Sequence, residues 1–431
     1  MALLDEAEIK AKIQKSLEYL ARRYLKQTKP KLVVITGSVG KTSTKNAIAT
    51  VLHERYKVRV NVGSHNTHLS VPLAVMGVAY PRNIRSPLEW ARVFIHSLIK
   101  AFGRKDVEVI VQELGTDQPG DIAQFGTYLN PDIAVVTAVA PEPMEFMGSL
   151  TVVAQEELAV AKFSKLTIVN RDDVDEQYAK FADTHTIDTY GLSGVAEYHF
   201  IIQDTDMLGD GYKGVFVCPE FGEIPATVKV VGEHSIKAAV AAGTVGVKLE
   251  LEKEEIARGL SKVRPVPGRM QVLRGLENSI LIDDTYNSSP VAAKAALQTL
   301  YQIPASNRIV ILGSMNELGG MSKQAHEEVG KACDPALLSW VITIGKEAAE
   351  NLAPAAIEKG CQVKSFLNPY EAGAFAHQVL EPNSVVLAKG SQNGVFAEES
   401  LKILLHSTKD NQKLVRQSQF WLEIKQKQFY G

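Results

Sequence analysis

The chain has 431 residues, of which 45% are hydrophobic and 22% are charged, and its formal net charge is −2. This length predicts two or three domains, and the composition is typical of a folded globular protein rather than a disordered or fibrous one. The near-neutral charge gives no sign of a general nucleic-acid or membrane surface. The sequence has neither a signal-peptide pattern nor an apolar run of the ~18 residues that span a membrane, so we expect a cytoplasmic protein.

The first half of the chain predicts helices alternating with buried strands. Apolar residues recur at helical spacing over the first 25 residues or so, and Lys29-Pro30 ends this amphipathic helix. A short strand at Lys31–Ile35, a glycine-containing loop and a helical stretch at Lys41–Tyr56 follow. Further strands are predicted at 58–60, 107–111, 133–139 and 166–169. Such runs are typical of a mostly parallel sheet covered on both faces.

The second half begins with a change of pattern. Alternating strands with glycine turns over 197–231 predict a small antiparallel sheet, and two helices are predicted at 234–247 and 254–262. A stiff segment at 264–269 is interpreted as an interdomain joint. Beyond it, strands predicted at 280–282, 309–312, 341–344 and 385–387 indicate a second, Rossmann-like α/β domain, and residues 412–431 a docking helix. We therefore expect an N-terminal helix at 1–29, a central domain at 30–268 and a C-terminal domain at 269–431.

The loop Thr36–Thr42 is a candidate phosphate site. Gly37 and Gly40 let the backbone approach phosphate oxygens, and the following helix adds the dipole of its N-terminus. Lys41 is expected to bridge the β- and γ-phosphates of ATP, and the hydroxyl of Thr42 to bind Mg²⁺. The remaining residues expected to bind nucleotide in this loop are Ser38, Val39 and Ser43. The alternative is a chance Gly-Lys-Thr at the start of a helix.

Glu113 follows the predicted strand at 107–111, where open parallel sheets place their ligands. A carboxylate there suits Mg²⁺, which takes oxygen ligands and keeps several waters. A solvated acid at the end of a strand is the alternative.

Taken in order, these and later motifs resemble the Mur ligase family, most of all its members that add D-Ala-D-Ala to a muramoyl tripeptide. The resemblance covers roughly residues 30 to 400. The motifs that carry it are Ile35–Thr42, Glu113-Leu114-Gly115, Asn130-Pro131-Asp132, Pro267-Gly268-Arg269, Asp283–Pro290, Leu312–Gly319 and Lys389-Gly390-Ser391.

The resemblance implies a central P-loop ATPase domain closed by a C-terminal Rossmann-like domain. It implies ATP-dependent amide-bond formation through an acyl phosphate, with ATP and Mg²⁺ as cofactors. By motif position, Arg269 would reach nucleotide phosphate, Asp284 the ribose, and Tyr286 and Asn287 the nucleotide side of the cleft. Asn66 and Thr67 match a substrate-side loop, although a turn explains them equally well. Lys389 and Ser391 are further substrate candidates, whereas His326 is expected to be structural.

The sequence also departs from the family pattern. The family carries a uridine-diphosphate-binding domain before the phosphate loop, whereas this sequence has one helix there. The family's metal-binding histidine falls on Pro143, and its carbamylated lysine falls on Glu157, whose carboxylate would supply the same negative charge. Glu157, with Glu142 as a further acid nearby, is therefore a candidate catalytic residue and metal ligand. The alternative is that Glu156 and Glu157 form a solvated helix face. Two asparagines near the adenine fall on Ser235 and Ala238, which predicts weaker recognition of the base.

The leading hypothesis is an ATP-dependent ligase of cell-wall precursor synthesis. Its substrates would be small carboxylates and amines, such as a muramoyl peptide and D-Ala-D-Ala, and no nucleic acid or membrane span is expected. The same chemistry on another carboxylate is the nearest alternative. A third hypothesis is a Mur-like nucleotide-binding scaffold that has lost turnover, motivated by Pro143, Glu157 and Ala238.

Overall fold

A computed structural model describes residues 6–61, 63, 65–141, 147–182 and 187–431. In the first part of the chain the strands are β1 (Lys31–Thr36), β2 (Val58–Val60), β3 (Val109–Glu113), β4 (Ile133–Val136), β5 (Leu166–Asn170), β6 (Ile187–Gly191), β7 (Tyr198–Asp206), β8 (Gly211–Cys218) and β9 (Gly222–Val228). The later strands are β10 (Gln271–Arg274), β11 (Ile280–Asp284), β12 (Arg308–Gly313), β13 (Trp340–Ile344), β14 (Val363–Phe366) and β15 (Val385–Lys389).

The described helices precede or follow these strands. They are α1 (Glu6–Thr28), α2 (Lys41–Leu52), α3 (Ser70–Met76), α4 (Pro87–Ala101), α5 (Asp121–Phe125), α6 (Leu150–Leu158), α7 (Glu233–Lys248), α8 (Lys253–Lys262), α9 (Pro290–Gln302), α10 (Ser322–Lys331), α11 (Ala353–Glu358), α12 (Pro369–Gln378), α13 (Glu398–Lys402) and α14 (Gln419–Tyr430).

Strands β1 to β9 form one sheet in the order β2-β3-β1-β4-β5-β6-β7-β8-β9. Neighbours from β2 to β7 are parallel, and β7, β8 and β9 are antiparallel. The predicted α/β class with a mostly parallel sheet is confirmed. The antiparallel strands extend this sheet instead of forming one of their own, because β7 pairs with the edge of β6.

Side chains of the central strands alternate between two apolar cores. In β1, Val33 and Ile35 face one core, while Leu32 and Val34 face the other. Helices α2 and α7 cover the first face, and α1 packs against α3 and α4 over the second. A parallel sheet needs cover on both sides, which explains the nearly continuous apolar strands.

Strands β10 to β15 form a second sheet in the order β10-β11-β15-β12-β13-β14, in which only the β10–β11 pair is antiparallel. Its two faces also carry separate apolar cores. We propose that the domain boundary lies at Gly268–Arg269, between α8 and β10, because the strands before it join the first sheet and those after it join the second.

Two predicted strands include residues that lie outside the observed ones. The prediction 107–111 is shifted to Val109–Glu113, so that two polar side chains, Gln112 and Glu113, are buried in the sheet. The predicted strand 133–139 ends at Val136. The chain leaves the sheet there because Thr137 turns to support the phosphate loop, as described below.

The predicted docking helix near the C-terminus is confirmed as α14. Its Lys425 is fully buried and forms ion pairs with Glu398 (2.8 Å) and Glu399 (2.5 Å). Arg416, which precedes the helix, binds Glu398 as well. Among the described residues, no helix combines the length and the apolar character needed to cross a membrane.

Candidate active site

The phosphate loop joins β1 to α2 through two glycines with positive φ. Gly37 has φ of +121° and Gly40 has φ of +90°, values that side chains other than hydrogen rarely allow. Gly40 is also the N-cap of α2, so the loop ends directly at the helix N-terminus. The predicted strand, loop and helix are therefore all present, and the alternative of a chance Gly-Lys-Thr does not account for this geometry.

Thr137 supports the loop from the neighbouring strand. Its hydroxyl lies 2.6 Å from the carbonyl oxygen of Val39 and 3.0 Å from that of Thr36. A Cβ added to Gly37 would lie 2.1 Å from this hydroxyl, so the close approach requires glycine. The sequence reasoning missed Thr137, whose only signal was its position directly after β4.

Lys41, Thr42 and Glu113 converge at the carboxyl ends of β1 and β3. The Lys41 ammonium donates to the carbonyls of Gly37 and Ser38 within the loop. The Thr42 hydroxyl donates to Oε2 of Glu113 at 3.0 Å. Glu113 is 1% exposed, and its Oε1 accepts no hydrogen bond among the described residues.

A second lysine of α2, Lys45, lies beneath this cluster. Its ammonium is 3.5 Å from Oε1 of Glu113, an ion pair without hydrogen-bond geometry, and it donates to the backbone carbonyls of Asn61 (2.9 Å) and Gly63 (2.5 Å). Burial lowers the pKa of Lys45, and the nearby Glu113 charge opposes this shift. Burial likewise lowers the pKa of His65, as does the Lys45 charge. Lys45 thus links the acid to the loop after β2, a role that the sequence reasoning missed.

Glu156 and Glu157 are both buried, so the solvated-face alternative is wrong. Oε2 of Glu157 accepts from the backbone N–H of Gly37 at 2.6 Å, directly in the phosphate loop. Glu156 instead binds the N–H groups of Gly120 (2.7 Å) and Ile122 (2.6 Å), which fixes the start of α5. The two neighbours on α6 therefore bind different segments, Glu157 the phosphate loop and Glu156 the start of α5.

Asn66 and Thr67 lie across the cleft from the phosphate loop. The carbonyl of Asn66 accepts from the N–H of Gly115 at 2.9 Å, which joins this segment to the residues after β3. Thr67 exchanges hydrogen bonds with Ser70 at the start of α3, as the turn alternative required. Both residues also line the cleft, so the turn presents them to it.

The second domain contributes Arg269, Tyr286 and Asn287. The Arg269 guanidinium lies over the Tyr286 ring, 4.3 Å from its centroid. The buried Nε of Arg269 has no hydrogen-bond partner among the described residues. The side-chain oxygen of Asn287 accepts from the N–H of Gln392 at 3.3 Å, which anchors the loop after β11.

Asp284, Lys389 and Ser391 lie deeper in the second domain. Lys389 is 2% exposed and donates to Oδ2 of Asp284 at 2.6 Å, while Oδ1 accepts from the N–H of Met270. Ser391 is buried and donates to the carbonyl of Ser288. These partners position the loop after β11, so any substrate contact of Lys389 or Ser391 stays a prediction.

Two clefts meet at the phosphate loop. The first has a volume of about 210 Å³, and both domains line it, with Lys41, Thr42, Asn66, Glu113, Glu157, Arg269, Tyr286 and Asn287 among its residues. The second measures about 650 Å³ on the other side of the loop and includes Ser43, Asn170, Ser235, Ala238, Arg269, Asp284 and Lys389. Together they bring residues predicted for phosphate, nucleotide and substrate to one continuous site.

His326, predicted to be structural, is fully buried on α10. Its Nε2 accepts from the N–H of Met315 at 2.9 Å, and its Nδ1 lies 2.7 Å from the carbonyl of Ser322. It thus anchors the loop after β12. Glu142 and Pro143 lie outside the described residues, as does the segment 142–146 around them.

The described residues fit ATP with Mg²⁺. Oε1 of Glu113, which accepts no hydrogen bond among the described residues, and the Thr42 hydroxyl are hard oxygen donors. The Nε of Arg269, which likewise has no hydrogen-bond partner among them, is a donor suited to phosphate. Within the described ranges, no cluster of three or more His, Cys, Asp or Glu side chains forms a metal cage. Mg²⁺ is usually held by one or two carboxylates together with the phosphates of a nucleotide.

A P-loop α/β domain facing a second α/β domain across such clefts defines a nucleotide-dependent enzyme of two domains. Residues 35–246 match the Mur ligase middle domain, and residues 268–392 match the Mur ligase, glutamate ligase domain. The chain belongs to the Mur ligase family, which confirms the resemblance seen in its motifs.

One similar protein is the UDP-N-acetylmuramoyl-tripeptide–D-alanyl-D-alanine ligase of Bacillus subtilis (strain 168). It is 28% identical over 406 residues, which cover 91% of this chain and 79% of that protein. Among solved structures, MurF from Acinetobacter baumannii has a TM-score of 0.73 at 22% identity, covering 90% of this chain and 79% of that one. MurF ligase from Thermotoga maritima in complex with ADP has a TM-score of 0.72 at 22% identity, covering 92% and 84%.

Proposed function

We propose that the protein is an ATP- and Mg²⁺-dependent ligase that joins a carboxylate to an amine, with a muramoyl tripeptide and D-Ala-D-Ala as leading substrates. The observation that carries this proposal is the convergence of Lys41, Thr42 and Glu113 with Arg269 and Tyr286 on one cleft between the two domains. The substrates named for the Bacillus subtilis relative support the choice of carboxylate and amine.

In the proposed reaction, a substrate carboxylate oxygen attacks the γ-phosphorus of ATP, and ADP leaves. The amine then attacks the carbonyl carbon of the acyl phosphate, so that an amide forms, inorganic phosphate leaves and the amine loses a proton. Lys41 and the N–H groups of the phosphate loop hold the transferred charge, and Arg269 closes over it from the second domain. Positioning and charge neutralisation supply most of the rate in such transfers.

Thr42 and Glu113 are the residues that would hold Mg²⁺, and the ion would neutralise charge on the β- and γ-phosphates. We assign Glu157 to the same site, because its carboxylate already lies within the phosphate loop at the N–H of Gly37. Glu157→Gln should therefore raise the Mg²⁺ concentration that gives half-maximal activity, whereas Glu156→Gln, at the neighbouring residue, should change substrate KM instead. If both variants required the same Mg²⁺ concentration, Glu157 would not be a metal ligand.

The function is tested by measuring ADP release from purified protein with each substrate alone and with both together. We expect release only when carboxylate and amine are both present, and an amide product by mass spectrometry. If the muramoyl tripeptide gives no turnover, a panel of other carboxylates with the same amine would identify a ligase of different substrate class. Tight ATP binding without turnover on any pair would contradict the proposal and favour a nucleotide-binding scaffold.

A further inference from the structure

Helix α4 has two apolar faces, although only one of them packs against the protein. Val93, Ser97 and Ala101 are buried, and the helix contacts α1 and α3. The opposite side carries large apolar residues that are mostly exposed: Leu88 (83%), Ile95 (57%), Ile99 (64%) and Phe102 (60%). Their spacings of seven, four and three residues place them on one side of the helix.

Cations surround this apolar stripe. Residues 82–105 contain six Lys or Arg and a single acid, Glu89, which gives this segment a net charge of +5 in a chain whose total is −2. Of the cations, Lys100 pairs with Asp106 at 2.6 Å, and Glu89 lies near the backbone N–H of Arg82. The near-neutral total that argued against a membrane surface therefore conceals a strongly cationic patch.

A groove opens beside the stripe. It has a volume of about 390 Å³, and its walls bring Arg82, Arg92 and His96 next to Tyr80 and Ile99. Basic and apolar side chains thus alternate over one continuous surface. We call the helix, its flanking cations and this groove the α4 surface.

We propose that the α4 surface binds the headgroup layer of an anionic phospholipid bilayer. An amphipathic helix of this kind lies in the membrane interface, with its apolar side chains in the acyl boundary and its cations at the phosphates. Helix α4 has 15 residues and carries Glu89, Arg92 and Lys100, so it suits an interfacial position and not a membrane span.

The charge also distinguishes the bilayer from a second copy of the chain. A two-fold dimer through this stripe would bring the same patch of each protomer together, so +5 would face +5. An anionic surface instead satisfies the cations at both ends of the stripe, Arg82 and Arg85 at one end and Arg104 and Lys105 at the other.

The test is sedimentation of the full chain with vesicles of phosphatidylcholine alone or mixed with phosphatidylglycerol. We expect binding only to the mixed vesicles, and weaker binding at high salt. Arg82→Gln with Arg92→Gln should lower the partition constant by more than about tenfold, since each cation near the surface contributes about fivefold. Ile95→Ser with Ile99→Ser should lower the partition constant by a similar factor, because the apolar side chains of the α4 surface also contribute to membrane binding.

Matched controls come from the second domain. Ile357 is 57% exposed on α11, and Lys364 is exposed on β14, so Ile357→Ser with Lys364→Gln should leave vesicle binding unchanged. Circular dichroism checks that every variant is folded. The proposal is overturned if wild type ignores both vesicles, binds both equally, or forms a dimer in solution that the Ile95→Ser, Ile99→Ser variant abolishes. Binding that requires an acidic protein and not lipid would overturn it too.

Discussion

A buried carboxylate lies beside the phosphate loop, and another lies beside the C-terminal helix, but the two have different partners. Glu113 is 1% exposed and accepts a hydrogen bond from the Thr42 hydroxyl; its Oε1 lies 3.5 Å from the Lys45 ammonium but accepts no hydrogen bond among the described residues. Glu398 is fully buried, and both its oxygens bind cations, Arg416 at 2.7 and 2.9 Å and Lys425 at 2.8 Å. Buried acids that stabilise a fold are paired within it, whereas acids with spare acceptor capacity at a cleft are candidates for ligand binding.

The two regions are nevertheless connected. Arg416 donates to the carbonyls of Thr285 (2.6 Å) and Tyr286 (3.0 Å) while it holds Glu398. Tyr286 carries the Arg269 guanidinium on its ring. The C-terminal ion network therefore positions the part of the second domain that faces the nucleotide.

The largest expected effect comes from the loop side. Lys41→Ala should lower kcat/KM for ATP-dependent ligation by about 10³-fold, since it removes the cation that neutralises most of the charge on the transferred phosphate. Folding should be unchanged, because Lys41 bonds only to carbonyls of its own loop among the described residues. Lys31→Ala, an exposed control at the start of β1, should retain full activity. Equal activity of the two variants would show that Lys41 and its loop have no role in the reaction.

The next effect comes from the paired carboxylate. Glu398→Gln should lower the free energy of unfolding of the C-terminal domain by about 3 kcal/mol, because Arg416 would lose its carboxylate partner and the buried Lys425 would keep only Glu399. Urea unfolding followed by tryptophan fluorescence measures it, in a Trp90→Phe background so that Trp340 and Trp421 report.

The control for Glu398→Gln is the exposed pair of Glu350 with Lys346, 3.9 Å apart. Glu350→Gln should change stability by less than about 0.5 kcal/mol. A Glu398→Gln variant as stable as this control would show that the network does not stabilise the domain.

An effect of similar size, which develops only as the pH rises, concerns Asp283, which is buried beside Glu398. Burial raises the pKa of Asp283 from 3.8 to about 7, against the hydrogen bonds from Thr285 and with the help of the Glu398 and Asp284 charges. The folded chain thus keeps a proton that the unfolded chain releases, so stability falls as pH rises from about 4 to about 7.

Asp283→Asn cannot release that proton. The variant should therefore gain stability relative to wild type by about 3 to 4 kcal/mol as the pH rises from 4 to 8, because only the wild-type chain releases this proton on unfolding. Urea titrations across this range measure the difference. If the free energy of unfolding changed with pH in the same way for both proteins, this result would contradict an elevated pKa at Asp283.

The smallest expected effect concerns Arg269, which lies between the phosphate loop and the C-terminal ion network. Arg269→Met removes the guanidinium that lies over Tyr286 and leaves an unbranched apolar side chain, so the Kd for ADP should rise about tenfold. Isothermal titration calorimetry measures this affinity. Arg274→Met, at an exposed arginine of the adjacent strand β10, should bind ADP as wild type does. A loss in both variants would indicate general damage to the second domain.

Sequence patterns predicted much of this molecule, because the residues that form each motif or strand are neighbours in the sequence. The phosphate loop was found from Gly37, Gly40 and Lys41, and Glu113 from its place after an apolar run. Strands β10 and β14 were not predicted, because they are short and half-exposed and lack the apolar runs of the central strands.

The supporting contacts could not be predicted in the same way. Thr137 reaches the phosphate loop from 98 residues further along the chain, and Arg416 reaches Thr285 across 131 residues. Lys45 lies in the predicted helical stretch and belongs to none of the motifs, yet it is buried beneath Glu113. Such roles depend on which strands are neighbours in the sheet, and single-residue chemistry does not determine that order.

In the proposed function, the cleft between the phosphate loop and the second domain transfers phosphate from ATP to a carboxylate. The most direct measurement uses a muramoyl tripeptide whose reacting carboxylate carries heavy oxygen, with D-Ala-D-Ala, ATP and Mg²⁺, and examines the released phosphate by mass spectrometry. We predict one heavy oxygen in each phosphate released by wild type, and phosphate release about 10³-fold slower with Lys41→Ala. Amide formation with phosphate free of the label would contradict the acyl-phosphate route.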